Sequence, residues 1–146
     1  MKSFKSIVIT GASSGIGEAL ALDYAAPGVA LALTGRDAER LRAVADACRA
    51  RGATVEAGQI DVAERGAMAS WLTTFDEAHP VDLVIANAGI SVDKKNDSLA
   101  DFSVLRKTLD VNVGGVLNTI EPLVGRMAGR GRGQIGIVSS LASFIG

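Results

Sequence analysis

The sequence has little that reacts and little that binds metal. There is one cysteine, Cys48, and one histidine, His79. A single thiol excludes an internal disulfide and a cysteine-built zinc cluster, and it fits a reducing compartment. No metal site is expected. Charge of either sign is not in excess: 15 basic and 16 acidic side chains leave a net charge of −1. That gives no electrostatic reason to expect nucleic acid or an anionic membrane as a partner. No run approaches the ~18 apolar residues of a membrane span. The lysines Lys2 and Lys5 precede Ile7-Val8-Ile9, but Thr10-Gly11 ends that run too early for a signal peptide. A soluble, cytoplasmic protein is the expectation.

What is present is a core. Hydrophobic residues make up 48% of the chain and charged ones 21%, a balance that packs rather than staying disordered. With 146 residues, one domain is expected. Short apolar runs alternate with segments of helical period. Residues 6–10, 29–34, 53–60, 81–86 and 134–140 read as strands. Ile16, Ala19, Leu20 and Tyr24 suggest one face of a first helix. Leu41, Val44, Ala45 and Cys48 fall at i, i+3, i+4, i+7, as do Met68, Trp71, Leu72 and Phe75. Asp37 is placed to cap the second helix, and Gly52 to end it. Residues 91–98 read as a polar loop. A long helical segment then carries Phe102, Leu105, Leu109, Val113, Val116, Leu117 and Ile120.

The order is β-α-β-α-β-α-β-α-β. Continuous apolar strands imply a parallel sheet covered by helices on both faces. The predicted architecture is a three-layer α/β doubly wound Rossmann sheet, about five strands in order 3-2-1-4-5. The chain stops at Gly146, a few residues after the fifth strand, so residues 1–146 are expected to be a nucleotide-binding domain incomplete at its C-terminus.

The chemistry begins at Thr10-Gly11-Ala12-Ser13-Ser14-Gly15-Ile16-Gly17, a G-x-x-x-G-x-G turn between a strand and a helix. Gly11 permits the sharp turn, Gly15 lets backbone approach a pyrophosphate, and Gly17 lets helix and strand pack closely. The helix N-terminus offers free N–H groups and the positive end of its dipole, and Ser13 and Ser14 add hydroxyl donors. A glycine turn without a ligand is the plain alternative. The second strand ends Leu33-Thr34-Gly35-Arg36-Asp37. An acidic residue here meets the ribose 2′-hydroxyl of NAD, whereas an arginine accommodates the 2′-phosphate of NADP. Arg36 follows a glycine and has room to fork onto phosphate. Asp37 is the competitor, but it is better explained as a helix N-cap. NADP is therefore expected over NAD.

Four further motifs carry a resemblance. Asp61-Val62 follows the third strand, Asn87-Ala88-Gly89 closes the fourth, Asn112 stands in Asp110-Val111-Asn112-Val113, and Ile137-Val138-Ser139-Ser140 ends the fifth. With the glycine spacing, these make the chain resemble the short-chain dehydrogenases/reductases over essentially its whole length. The resemblance implies that Asp61 and Val62 meet adenine and that Asn87, Ala88 and Gly89 line the cofactor site. It implies a local helix distortion at Asn112 with a water in a proton relay, and an oxygen-polarising role for Ser140. The residues alone leave alternatives: a cap for Asp61, backbone support for Asn87, a solvated helix asparagine for Asn112, and strand-end hydrogen bonding for Ser140.

The family's acid/base is a tyrosine in Tyr-x-x-x-Lys, about a dozen residues after the serine. Here the sole tyrosine is Tyr24, with Gly28 four residues on. The expected site falls past Gly146, and the chain by itself is expected to be inactive. The implied activity is hydride transfer between NADP(H) and a small-molecule carbonyl or alcohol. A non-catalytic NAD(P)-binding sensor or scaffold module is the alternative. Sugar-nucleotide epimerisation on the same fold is disfavoured by the first glycine gap. The helix around Phe102 and Ile120 is apolar on more than one side, and the resemblance implies a homo-oligomer through it. His79, Lys94, Lys95 and the arginines of Gly129-Arg130-Gly131-Arg132-Gly133 read as solvated, Cys48 as core, and Trp71 and Phe75 as helix packing.

Overall fold

A computed structural model describes residues 4–91 and 102–140. Most of the predicted polar loop, with Lys94 and Lys95, lies outside the described residues, as does Gly146.

Five strands form one parallel sheet: β1 (Ser6–Thr10), β2 (Ala30–Thr34), β3 (Thr54–Gly58), β4 (Leu83–Ala86) and β5 (Gln134–Ile137). Their order is β3-β2-β1-β4-β5, as the sequence predicts. The helices are α1 (Gly15–Tyr24), α2 (Ala38–Ala50), α3 (Arg65–Ala78), α4 (Phe102–Leu109) and α5 (Gly115–Gly129). A π-helical turn, Asp110–Gly114, joins α4 to α5. The chain reverses direction across the sheet between β1 and β4. In doubly wound sheets that switch point opens a crevice at the carboxyl ends of the strands.

The three inner strands, β1, β2 and β4, serve two cores, because side chains alternate between faces. Ile7 and Ile9 of β1, Leu31 and Leu33 of β2, and Leu83 and Ile85 of β4 pack with Leu41, Val44, Ala45 and Cys48 of α2. Val8, Ala32 and Val84 face the other way, onto Met68, Leu72 and Phe75 of α3 and Leu123 and Met127 of α5. A strand buried on both sides must be apolar throughout, which is why β1, β2 and β4 are legible as continuous runs.

Four expectations are corrected. The fully buried residues of α1 are Gly17 and Ala21; of the predicted face, Leu20 and Tyr24 pack against the core only in part, and Ile16 is 60% exposed. The turn before α1 brings it so close to the sheet that only small residues fit beneath it. The third strand, read as 53–60, stops at Gly58, so Asp61 stands three residues past its end. Ser140 likewise stands three residues past the end of β5. Arg130, finally, is not solvated. Its guanidinium forms a two-pronged pair with the buried Asp76, at 2.8 and 2.9 Å, and also donates to the Val81 carbonyl at 3.0 Å. Arg126 approaches the same carboxylate at 3.3 Å. This cluster bolts the end of α5 to α3 beneath β4.

Candidate nucleotide site

The turn from β1 into α1 is shaped by what it cannot contain. Gly11 and Gly15 take φ of +68° and +58°, values that L side chains rarely adopt. A Cβ on Gly17 would overlap the carbonyl oxygen of Gly11 and come within 2.6 Å of the Asn87 amide nitrogen. Gly15 has nothing within 4 Å of the same position, so open space lies above it. Ser14 occupies the N-cap position of α1 but makes no side-chain cap. The first-turn N–H groups are thereby left for another acceptor, and the helix dipole favours an anion there. This turn fits the pyrophosphate of a dinucleotide.

Asn87 ties that turn to β4. Its Nδ2 donates to the carbonyl oxygens of Thr10, at 3.0 Å, and Gly11, at 3.3 Å. The hydroxyl of Thr10, itself 1% exposed, accepts from the N–H groups of Asn87 and Ala88, both at 3.0 Å. A polar side chain at the end of an apolar strand needs such partners. The backbone-supporting role read for Asn87 is thus what its side chain does.

The far wall is held with equal care. Asp61 Oδ1 accepts the Ala63 N–H at 2.9 Å, making a tight turn rather than a helix cap, since Glu64 is the N-cap residue of α3. The buried hydroxyl of Thr34 donates to the Ile60 carbonyl at 3.0 Å. From α5, Asn118 Nδ2 donates to the carbonyl oxygens of Val62 (2.9 Å) and Ala63 (3.3 Å). Sequence reading passed over Asn118; nothing in its local pattern sets it apart from other helix asparagines. Asn112 stands in the π-turn, where a distortion was expected. Its amide brackets Ile90, with Oδ1 accepting the N–H and Nδ2 donating to the carbonyl, each at 2.8 Å.

Between these walls lies an open cavity of about 320 Å³. Gly11, Ser13, Ser14, Arg36, Asp61, Val62, Asn87, Ala88 and Gly89 all line it. Gly15, Ile16 and Gly17 belong to the turn that supports it. Asn112 lies behind Ile90, and Ser140 is exposed beyond β5, outside the wall. Tyr24 is also outside it, its ring set edge-on to Phe4 at 6.4 Å. Thr34, Gly35, Asp37, Arg40, Ile60, Ile90 and Val111 complete the lining. The cavity sits at the switch point between β1 and β4, where doubly wound sheets place their ligands.

Residues 5–146 match the short chain dehydrogenase family. An uncharacterized oxidoreductase of Myxococcus xanthus is 38% identical over 145 residues, covering 99% of this chain and 57% of the relative. A 3-oxoacyl-acyl-carrier-protein reductase of Aggregatibacter actinomycetemcomitans is 35% identical, covering 97% of this chain and 60% of that one. The chain therefore spans little more than half the length of these curated relatives. Among solved structures, an NAD+-bound xylitol dehydrogenase superposes with a TM-score of 0.84 at 25% identity, covering 97% of this chain and 55% of the other. A metagenomic short-chain oxidoreductase in complex with NADP gives 0.80 at 31% identity, covering 94% and 63%.

Proposed function

We propose a function from one premise: the chain belongs to the short-chain dehydrogenase family, whose members matched here are oxidoreductases. Our reading is that residues 1–146 form the cofactor-binding domain of an NADP(H)-dependent oxidoreductase acting on a small carbonyl or alcohol. The observation that carries it is the single cavity in which the glycine turn, Arg36, Asp61 and Asn87 converge. A bound nicotinamide cofactor would supply the hydride.

The chain's own residues divide the remaining work. The first turn of α1, with Ser13, Ser14, Gly15, Ile16 and Gly17, would hold the pyrophosphate. Asp61 and Val62 would meet the adenine. Asn87, Ala88 and Gly89 would form the floor beneath the nicotinamide half. Ser140 would polarise the substrate oxygen, and Asn112 would place a relay water with whatever donor and acceptor capacity Ile90 leaves it. Arg36, standing on Gly35 at the end of β2, favours NADP over NAD because a guanidinium recognises a phosphate by two parallel N–H groups. We further read the exposed apolar row on α4 and α5, with Phe102 70%, Leu109 52% and Leu117 61% exposed, as a contact between copies of the protein.

The test is direct titration. Trp71 packs behind the cavity wall: a Cβ on Gly58 would sit 3.0 Å from its indole and 3.1 Å from Ile60. Its fluorescence should respond as NADPH binds, and NADH should bind more weakly. Tighter NADH binding would overturn the Arg36 argument, and binding of neither would overturn the site.

A further inference from the structure

Asp37 is the residue that would favour NAD, and the structure keeps it occupied. Its Oδ1 accepts the backbone N–H of Arg40 at 3.0 Å, capping α2. Its Oδ2 is paired with Arg40 Nε at 3.3 Å. Both carboxylate oxygens are thus engaged by one residue, one turn along the helix. That residue also lines the cavity, on the same side as Ser13, Gly35 and Arg36.

We propose that Arg40 is a second determinant of cofactor choice: its guanidinium holds Asp37 away from the ribose and joins Arg36 in binding the 2′-phosphate. The proposal rests on the NADP reading above and names a residue that reading did not use.

Three observations support it. First, Arg40 is anchored at its backbone by the cap but exposed at its side chain, 69% by area, so the guanidinium is free to turn toward a ligand without moving the helix. The pair with Asp37 runs through Nε, so the two Nη groups can meet a phosphate while Asp37 stays held. Second, the space beside Gly35 is reserved. A Cβ there would stand 2.8 Å from the Ser13 hydroxyl, which brings a neutral donor to the same corner as the two guanidinium groups. Third, the charged residues lining the cavity are Arg36, Asp37, Arg40 and Asp61, with Glu18 in the groove beside it. Glu18 lines the neighbouring groove between α1 and α2, on the far side of Arg40 from the cavity. Asp61 is turned to its own wall, where Oδ1 accepts the Ala63 N–H, so with Asp37 paired to Arg40 the corner at the end of β2 keeps the charge of Arg36, which suits a phosphomonoester and not a bare hydroxyl pair.

The experiment uses two fragments that differ only in the 2′-phosphate: 2′,5′-ADP and 5′-AMP, each titrated into the full chain by Trp71 fluorescence or calorimetry. Wild type should prefer 2′,5′-ADP; equal affinities, or no binding of either, would overturn the NADP reading before any variant is made, and this inference with it. Given that preference, Arg40→Ala should weaken 2′,5′-ADP about tenfold, the scale of one charge-assisted hydrogen bond, while 5′-AMP stays within about twofold. Alanine is the best helix former, and the 5′-AMP affinity reports on the fold within the same sample. Arg40→Lys should lose about half of the effect on a logarithmic scale, since it keeps the charge and loses the fork. Asp37→Asn retains the cap and should tighten 2′,5′-ADP. In that background Arg40→Ala should still weaken 2′,5′-ADP. No change there would overturn the direct contact, and equal weakening of both fragments by Arg40→Ala would overturn the specificity role altogether.

Discussion

Asn112 closes a ring of two hydrogen bonds on the backbone of Ile90, accepting its N–H and donating to its carbonyl, both at 2.8 Å. The side chain imitates a neighbouring strand. It fixes the segment leaving β4 against the π-turn, so that Gly89 and Ile90 stand in the cavity wall. Asn112→Ala removes both bonds and should destabilise the protein by about 1–3 kcal/mol. The Ile90 amide should exchange with deuterium markedly faster, while amides of β1 and β2 exchange as before. Unchanged protection at Ile90 would show that the bracket is not what orders this segment.

Gly17 and Gly15 are two residues apart and should respond differently to the same substitution. At Gly17 an added methyl has no room: the Gly11 carbonyl and the Asn87 amide fill its place. Gly17→Ala should break the Asn87 clamp and cost more than about 3 kcal/mol. At Gly15 the space is open, and the cost is the φ of +58° alone, about 1–2 kcal/mol. Gly15→Ala should therefore remain folded but lose affinity for NADPH, since its methyl would point into the space a pyrophosphate needs. Thermal melts and NADPH titrations on the two variants separate these outcomes.

The sheet was readable because each inner strand had to be apolar on both faces, and its strand order is one of the few that doubly wound sheets adopt. Asp37 was readable as a cap, and its Oδ1 does accept the Arg40 N–H. The site was legible wherever a residue type was forced by local geometry, as at Gly11, Gly17 and Asn87. What escaped were partners made by tertiary contact. Arg130 sits in a glycine-rich, polar loop, and only folding brings Asp76 against it. Ile16 and Gly17 are adjacent, and hydropathy favours the wrong one as the packed residue. Asn118 looks like any helix asparagine until its register places it over Val62.

Asp76 makes a stability that depends on acid. Burial alone would raise its pKa, but the hydrogen bonds from Arg130, the Val81 N–H, the Arg130 charge and Arg126 together hold it below the usual carboxylate value. A carboxylate depressed in the folded state stabilises fully above its unfolded pKa, near 4, and loses that contribution as pH falls through the folded value. Wild-type stability should thus drop as pH falls below about 4. In Asp76→Asn that part of the slope should vanish, and at neutral pH the variant should be about 3 kcal/mol less stable, because Arg130 is left without its buried partner. Urea melts at a series of pH values measure both quantities. Parallel slopes for the two proteins would remove Asp76 from the account.

Asn118 offers the sharpest test of how the cavity wall at Val62 is held. Its Nδ2 points at two carbonyl oxygens, those of Val62 and Ala63, and α5 approaches so closely that a Cβ on Gly115 would lie 2.5 Å from the Val62 side chain. The position needs a donor, not merely a polar group of that size. Asn118→Ala loses the two bonds and should cost about 1–2 kcal/mol, lowering the melting temperature by roughly 2–8 °C. Asn118→Asp keeps the shape but sets carboxylate oxygens against carbonyl oxygens, so at neutral pH it should be worse than alanine. If these bonds also set the position of Val62 for its ligand, both variants should weaken 5′-AMP binding in the same order. Lowering the pH toward 4 protonates the introduced carboxyl and restores a donor, so the aspartate variant should recover toward the alanine one. An aspartate variant that is as stable as wild type at pH 7 would mean that the contact is steric and the hydrogen bonds incidental.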